Sequence, residues 1–176
     1  MVNIFWTEII KSTFEHIFLI YLALFISIFL AVPLAFASLK SKTLANGITI
    51  FANFIQAIPS FAVVAIVVPL IGIGFTPAIL AIVIRILLPI VKNSFTGLQN
   101  VDELLIDYSK AIGLKKKQIL WRVRVPMALP SFFTGIKFAA VLANSIAILT
   151  AVIDSGGLGN FVFTGLASYN ISTILM

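Results

Sequence analysis

Apolar residues in this chain occur in long runs, separated by short polar stretches or by turns rich in glycine and proline. A run of about 20 apolar residues, wound as a helix with a rise of about 1.5 Å per residue, covers the roughly 30 Å hydrocarbon core of a bilayer. The pattern therefore predicts an all-α, polytopic transmembrane bundle with spans over residues 17–38, 48–71, 77–95 and 131–153.

Both ends of the chain carry weaker signals. Residues 1–15 alternate apolar side chains with charged ones, which predicts an amphipathic helix lying on the membrane surface before the first span. Residues 171–176 begin a further apolar run that stops after six residues, too few to cross a bilayer. We therefore expect a single transmembrane domain (1–176) of about five spans, truncated before the end of the last one.

The composition supports a membrane protein and limits its chemistry. Hydrophobic residues make up 61% of the chain and charged residues 10%, whereas soluble domains usually carry about 25% charged residues. The chain has no cysteine and a single histidine, His16, which excludes a disulfide framework, a thiol nucleophile and a multi-histidine metal site within it. The acids near a span are Glu15 and Asp154. Because no paired carboxylates lie in the bilayer, we expect neither an enzyme nor a bound metal or cofactor.

The net charge of +6 follows membrane topology and does not indicate affinity for nucleic acid. Lys40 and Lys42 follow the first span, and seven more basic residues lie between the end of the third span, at Lys92, and the start of the fourth. Cytoplasmic loops of membrane proteins are enriched in Lys and Arg, so both loops are predicted to be cytoplasmic. The N-terminus and the polar turn at 154–160 are then predicted to lie outside.

The second predicted span is interrupted at Pro59, in the sequence Ile-Pro-Ser-Phe at 58–61. A proline removes one helical hydrogen bond and clashes with the preceding turn, and in lipid the freed carbonyl needs another partner. Such a break is therefore expected to face protein or a water-filled cavity. Gln56, one turn earlier, is predicted to supply the partner, and Ser60 lies beside the break.

Two further polar residues lie deep in predicted spans. By helical rise, Arg85 is about 12 Å and Asn144 about 14 Å from the outer ends of their spans. We therefore expect the two at one depth, with Asn144 accepting a hydrogen bond from Arg85. Polar groups in membranes usually face the bundle interior, where they either hold helices together or line a solute path. The candidate path residues are Gln56, Pro59, Ser60, Arg85 and Asn144.

Residues 100–126 have the pattern of two short helices that form an elbow between the third and fourth spans. Asn100, with Glu103 three positions on, matches a capping box at the start of the first helix. The apolar residues of that helix fall at helical spacing on one stripe. The stripe consists of Val101, Leu104, Leu105, Tyr108, Ala111 and Ile112.

Gly113 suits the left-handed conformation that ends a helix. A second helix at about 116–124 is predicted to stop before Pro126, because the residue preceding a proline avoids helical geometry. The resulting elbow either lies on anionic lipid headgroups or docks a cytoplasmic partner.

The elbow resembles the EAA loop of the membrane subunits of ATP-binding-cassette (ABC) importers. That pattern is Glu-Ala-Ala, three residues, Gly, nine residues and Ile-x-Leu-Pro. Here Asp107, Tyr108 and Ser109 occupy the first triplet, Gly113 follows at the family's spacing, and Val-Arg-Val-Pro at 123–126 comes nine residues later. The glycine and the proline are identical, whereas Tyr108 and Ser109 replace two alanines.

Other segments resemble the glycine betaine, carnitine and choline branch of these permeases, namely IQAIPSF, GIGFTPAILA, LLPIVKNSFTGL and SGGLGNFVFTGL. The resemblance implies the type I importer permease fold and a multi-pass protein of the prokaryotic plasma membrane. It also implies a path for a small zwitterionic or quaternary-ammonium solute such as glycine betaine, carnitine or choline. The alternatives are a permease for ergothioneine or an amino acid, and a non-transport scaffold that recruits a cytoplasmic partner.

The resemblance further implies several partners. No GxxxxGK[ST] phosphate loop occurs in this sequence, so ATP and Mg are expected on a separate cytoplasmic ABC ATPase. An external solute-binding protein or a fused binding domain is expected to deliver solute, and a second permease copy to complete a homodimer or heterodimer. The residues implied to couple to the ATPase are Asp107, Gly113, Leu114, Lys115, Val123 and Pro126.

Overall fold

The computed structural model describes residues 2–169, except the side chains of residues 2–5 and 42. Within this part the chain forms helices and no strand, so the all-α prediction is confirmed. The helices are α1 (Val2–Ser38), α2 (Lys42–Ala57), α3 (Ser60–Ile71), α4 (Phe75–Gln99), α5 (Glu103–Ala111), α6 (Lys116–Ile119), α7 (Val125–Thr150) and α8 (Gly159–Ala167). The expected incomplete span at 171–176 lies outside the described residues.

Three helical runs are long and apolar enough to cross a membrane: Trp6–Ser38, Phe75–Gln99 and Lys116–Ile153. The pair α2 and α3 passes the same test as one bent span. The spans predicted from the apolar runs are therefore present, although the first and fourth helical runs begin at Trp6 and Lys116, well before the predicted starts at residues 17 and 131.

The first helix corrects the prediction of a separate surface helix over residues 1–15. α1 is one helix of 37 residues that continues through this segment into the span. Glu8, Lys11 and Glu15 are spaced three and four residues apart, so they share one helical face and require no break. No glycine or proline lies in this part of the sequence to end the helix.

The core of the bundle is the seam between α4 and α7, with α1 packed against both. A Cβ atom added to Gly97 of α4 would lie 2.6 Å from the Cβ of Ser131 on α7, and one added to Gly135 of α7 would lie 2.8 Å from the Cβ of Asn93. Small residues let membrane helices approach this closely and gain dispersion contacts along their length. The buried small residues of α7 are Ala128, Gly135, Ala139, Ala143 and Ala147.

At one end of the bundle, the elbow end, α1 and α4 finish and the run into α7 begins. Ala35, Leu98 and Ala128 form a small buried cluster there, and Leu39 from the loop after α1 packs against it. The two basic loops of the sequence therefore lie at the same end, as the topology prediction requires.

At the opposite end, the loop end, the turn after α7 is tied to two other elements. Gly157 donates a 3.2 Å hydrogen bond to Glu15 Oε2 of α1, and Gly74 donates a 2.6 Å bond to the carbonyl of Ile153. Because α1, α4 and α7 all meet here, the start of the chain lies at the end opposite the elbow.

The junction between the elbow and α7 corrects the predicted stop at Pro126. Residues Leu120–Arg124 form a π-helical turn, closed by a hydrogen bond from the Val125 amide to the Leu120 carbonyl, and α7 continues directly from it. In α-helical geometry the Pro126 ring would clash with the carbonyl four residues earlier. The wider π turn relieves this clash at Pro126, so the second half of the elbow, from Lys116, and the span form one continuous helical run.

Candidate translocation path and coupling elbow

The second span is broken where the sequence predicts it. α2 ends at Ala57, α3 begins at Ser60, and the two helices meet at an angle of 97°. The intervening Ile58 and Pro59 have extended ψ angles of 129° and 138°. The final carbonyls of α2 therefore lack their usual donors four residues on, and the Ile55 carbonyl accepts only a 3.3 Å bond from the Ile58 amide, so further donors come from elsewhere.

Arg85 of α4 supplies these donors. Its Nη1 donates to the carbonyls of Ile55 at 2.6 Å and Ile58 at 3.0 Å, and its Nη2 donates to Ser60 Oγ at 3.2 Å. The prediction that Gln56 supplies the partner is wrong. Its side chain makes no hydrogen bond to these carbonyls and is exposed on this chain. A cation suits this place because the carbonyl end of a helix carries partial negative charge.

The predicted contact between Arg85 and Asn144 is also wrong. Asn144 Oδ1 lies 3.1 Å from Nε2 of His16 on α1, and His16 is only 4% exposed. The helical-rise estimate gives depth along each span but not the direction in which each side chain leaves its helix. Asn144 therefore links α7 to α1 towards the loop end, while Arg85 binds the carbonyls at the break between α2 and α3.

A polar face on α2 leads from the elbow end to the break. Asn46, Thr49, Asn53 and Gln56 recur at spacings of three and four residues, and Asn46, Asn53 and Gln56 are exposed on the single chain. Lys92 of α4 donates a 3.2 Å hydrogen bond to Asn53 Oδ1. We call these four α2 residues the polar lane. Since polar side chains in membranes face protein or water, the lane is expected to face protein or water and not lipid.

The sequence prediction identified only Gln56 of this lane. The spacing of Asn46, Thr49 and Asn53 predicts a polar helix face, because it has the period of an α-helix. The long apolar run around these residues obscured it.

The first elbow helix begins two residues later than predicted. Asp102 caps α5 by accepting a 2.9 Å hydrogen bond from the Leu104 amide. Asn100 instead ends α4, where its amide bonds to the Thr96 carbonyl at 2.9 Å. The capping box of Asn100 and Glu103 is therefore wrong, because α4 continues to Gln99 and leaves Asn100 on its final turn.

Gly113 ends α5 in the conformation that the sequence predicts. Its φ is +85°, its amide bonds to the Lys110 carbonyl at 2.9 Å, and the Leu114 amide bonds to the Ser109 carbonyl at 3.0 Å. This pair of bonds is the Schellman arrangement. A Cβ added at Gly113 would meet nothing within 4 Å, so the requirement for glycine is conformational rather than steric.

The apolar stripe predicted on α5 mostly faces away from the rest of the chain. Leu104, Tyr108 and Ile112 are 64%, 66% and 78% exposed, while Ile106 and Ser109 form the buried side of the helix. We call these three exposed residues the outer stripe. An apolar row left uncovered at the tip of a membrane protein, next to several lysines, has the character of a docking surface.

The remaining elbow residues divide into packing and surface groups. Leu114 and Val123 pack against the buried cluster of Val101, Ile106 and Ile119. The surface group is Asp107, which pairs with Lys110 at 2.7 Å, Lys115, whose amide bonds to Gln118 Oε1 at 2.8 Å, and Pro126, which is exposed.

A helical bundle with a broken span, an arginine buried at the break and an elbow continuous with another span has the features of a membrane transport subunit. The chain belongs to the family described as binding-protein-dependent transport system inner membrane component, whose model matches residues 23–176. It is therefore a multi-pass membrane protein and the permease subunit of an ABC importer, not an enzyme. The resemblance stated from the elbow motif is confirmed.

Two relatives and one solved structure illustrate the similarity. The chain is 34% identical over 168 residues to the glycine betaine/carnitine/choline transport system permease protein OpuCB of Bacillus subtilis, covering 96% of this chain and 77% of that protein. The choline transport system permease protein OpuBB of the same organism gives the same identity and coverage. A structure of the inward-facing MetNI methionine ABC transporter superposes with a TM-score of 0.79 at 17% identity, covering 98% of this chain and 88% of that one. At that identity it shows the fold alone.

Proposed function

We propose that this permease forms part of the path for a small zwitterionic or quaternary-ammonium solute of the glycine betaine, carnitine and choline type. The observation that carries the proposal is the polar lane on α2, which reaches the break held by Arg85. A polar face of this length on a membrane helix is costly in lipid. It is best satisfied next to a hydrated path between this chain and a second permease copy.

We propose that the elbow is the contact through which a separate cytoplasmic ATPase, which binds ATP and Mg, moves this subunit. The outer stripe offers the contact surface, and the buried cluster of Val101, Ile106 and Ile119 makes the elbow rigid. Since α6, the π turn and α7 form one helical run, a displacement of the elbow is passed directly to a core helix. That displacement would switch the path between its two openings.

The orientation follows from the charges at the two ends. The elbow end carries Lys110, Lys115, Lys116, Lys117, Arg122 and Arg124, which favours the cytoplasm. The loop end then faces outward in a prokaryotic plasma membrane. There the turn at 154–160 is a candidate contact for an external solute-binding protein or a fused binding domain.

The experiment that tests the docking role is co-purification of the permease with its ATPase. Tyr108→Asp places a charge in the outer stripe, and we expect the ATPase to be lost. Tyr169→Asp is the matched control, because Tyr169 is 95% exposed but follows α8 at the loop end. Retention of the ATPase by both variants would contradict docking at the outer stripe.

The solute class is tested by uptake of labelled solutes in cells that carry the complete transporter. We expect uptake of glycine betaine, carnitine or choline to require this chain. A panel with ergothioneine and amino acids distinguishes the alternatives. Unchanged uptake of every quaternary-ammonium solute after deletion of the chain would refute the solute class and leave the family membership intact.

A further inference from the structure

The guanidinium of Arg85 has no acidic partner in the part of the chain that the structure describes. The residue is 8% exposed, and the ion pairs among the described residues are Lys11 with Glu15 and Lys110 with Asp107. Its charge is therefore stabilised by two carbonyl oxygens and the Ser60 hydroxyl, with no carboxylate among the described residues. A buried cation without a counter-charge is an unfavourable arrangement and is well suited to an anionic ligand.

Part of the hydrogen-bonding capacity of this guanidinium is unused. Arginine has five N–H donors, and three hydrogen bonds are made from Nη1 and Nη2. Nε is buried and has no hydrogen-bond partner among the described residues. A guanidinium fork matches the two oxygens of a carboxylate, so a guanidinium with unused donors has the chemistry to attract such a group.

The start of α3 adds further donors beside Arg85. α3 has 12 residues, and no side chain caps its first turn. The amides of Ala62 and Val63 both bond to the Pro59 carbonyl, which leaves those of Ser60 and Phe61 as the first free donors of the helix. The amino end of a helix attracts anions, and Arg85 Nη2 already touches Ser60 Oγ.

The break is also open to the side on which the polar lane runs. Gln56, Pro59 and Phe61 are exposed on this chain and Ser60 is partly exposed. A solute that follows the lane therefore reaches Ser60, whose hydroxyl accepts a hydrogen bond from the buried Arg85 guanidinium.

We infer that the break between α2 and α3 is a carboxylate subsite of the path, formed by the Arg85 guanidinium, the Ser60 hydroxyl and the first amides of α3. The inference rests on the proposed function and sharpens its solute class. Solutes that carry a carboxylate beside a quaternary ammonium, such as betaines, bind the subsite. Choline has the ammonium but no carboxylate and does not bind it.

The subsite is tested by thiol labelling of the complete transporter with its ATPase and binding protein. The 176-residue sequence has no cysteine, so Phe61→Cys introduces a single thiol into it, and its labelling by a water-soluble maleimide is followed on this subunit. We expect glycine betaine at ten times its apparent Kd to slow labelling about tenfold, and choline to leave the rate unchanged. Ile73→Cys, at the exposed turn before α4, is the control, and neither solute should slow its labelling.

Two variants separate a binding role from a structural one. Arg85→Gln in the Phe61→Cys background should abolish protection by glycine betaine. Ser60→Ala keeps the bonds of Arg85 to Ile55 and Ile58, and it should weaken protection about fivefold through loss of one hydrogen-bonding group. If Arg85→Gln prevents assembly, Ser60→Ala alone decides, and full protection in that variant would count against the subsite.

Three results would overturn the inference: equal protection by glycine betaine and choline, protection by neither solute, or a thiol at position 61 that the reagent never reaches. Failure of the proposed function gives a different result. In that case no quaternary-ammonium solute is taken up by the unmodified transporter, while protection by a carboxylate such as acetate still reports on the subsite.

Discussion

Arg124 Nη1 donates a 2.8 Å hydrogen bond to the carbonyl of Leu98. Leu98 lies in the last turn of α4, before the elbow, and Arg124 closes the π turn after it. The bond therefore joins the two ends of the elbow across the seam between α4 and α7. It uses the same chemistry as Arg85 at the break, where a guanidinium also binds carbonyls at the end of a helix.

Arg124→Gln is expected to reduce coupling between ATP hydrolysis and transport. A hydrogen bond from a charged donor contributes about 1.5–3 kcal/mol, and without it the elbow can move without carrying α4 along. The measurement is solute transported per ATP hydrolysed by the reconstituted transporter, which we expect to fall several-fold while the ATPase stays bound. Arg122→Gln is the control, because Arg122 is exposed and has no hydrogen bond among the described residues. Equal losses in both variants would indicate a general effect of basic charge.

Gly113→Ala should loosen the elbow through backbone strain. A residue with a Cβ in the left-handed region costs about 1–2 kcal/mol, and the φ of Gly113 is +85°. We expect weaker ATPase co-purification for Gly113→Ala and partial recovery with Gly113→Asn, since asparagine tolerates this conformation. Gly113→Pro, which also removes the amide that bonds to Lys110, should bind the least ATPase. If alanine and glycine behave alike, the turn is not the determinant of elbow rigidity.

Gly97→Ala and Gly135→Ala should each destabilise the bundle. Their added Cβ atoms would lie 2.6 Å from Ser131 and 2.8 Å from Asn93 across the seam, and overpacking of this kind costs about 1–3 kcal/mol. The expected result is a lower melting temperature in detergent, measured by intrinsic fluorescence. Gly47→Ala on α2 is the matched control, because its Cβ would meet nothing within 4 Å. An unchanged melting temperature for Gly97→Ala would contradict the close approach of α4 and α7.

The polar lane is tested by replacing Asn46 and Asn53 together with leucine. Apolar side chains would remove the hydrogen-bonding surface along the path, so we expect slower uptake with unchanged amounts of assembled transporter in the membrane. Phe51→Leu is the control, since Phe51 is exposed on the apolar side of α2. Normal uptake by the asparagine double variant would place the solute path elsewhere.

Features that depend on neighbours along the chain were predicted well. The break at Pro59, the turn at Gly113 and the apolar spans all follow from steric and hydrophobic preferences of a few consecutive residues. Boundaries were less accurate: Asn100 and Asp102 are both suitable caps, and the length of α4 decided between them. The same holds for α1, whose charged first turns fit either a surface helix or the start of a span.

Pairings between distant residues were predicted poorly. Asn144 and Arg85 have comparable depths, but their helices are rotated so that the two side chains point to different partners. Asn144 bonds to His16, and Arg85 bonds to the carbonyls of Ile55 and Ile58. Pro126 was a reasonable helix stop, yet the π turn before it lets the helix continue.

The sequence by itself determined that this is a helical membrane protein, where its spans break, and which elbow motif it carries. Each of these follows from local hydrophobicity, backbone sterics or a spacing along the chain. Only the tertiary structure decided which side chain satisfies the broken span, that the outer stripe of the elbow is uncovered, and that Arg124 ties the elbow to α4. These depend on the rotation and packing of whole helices, which are set by the close seam between α4 and α7 and not by any single segment.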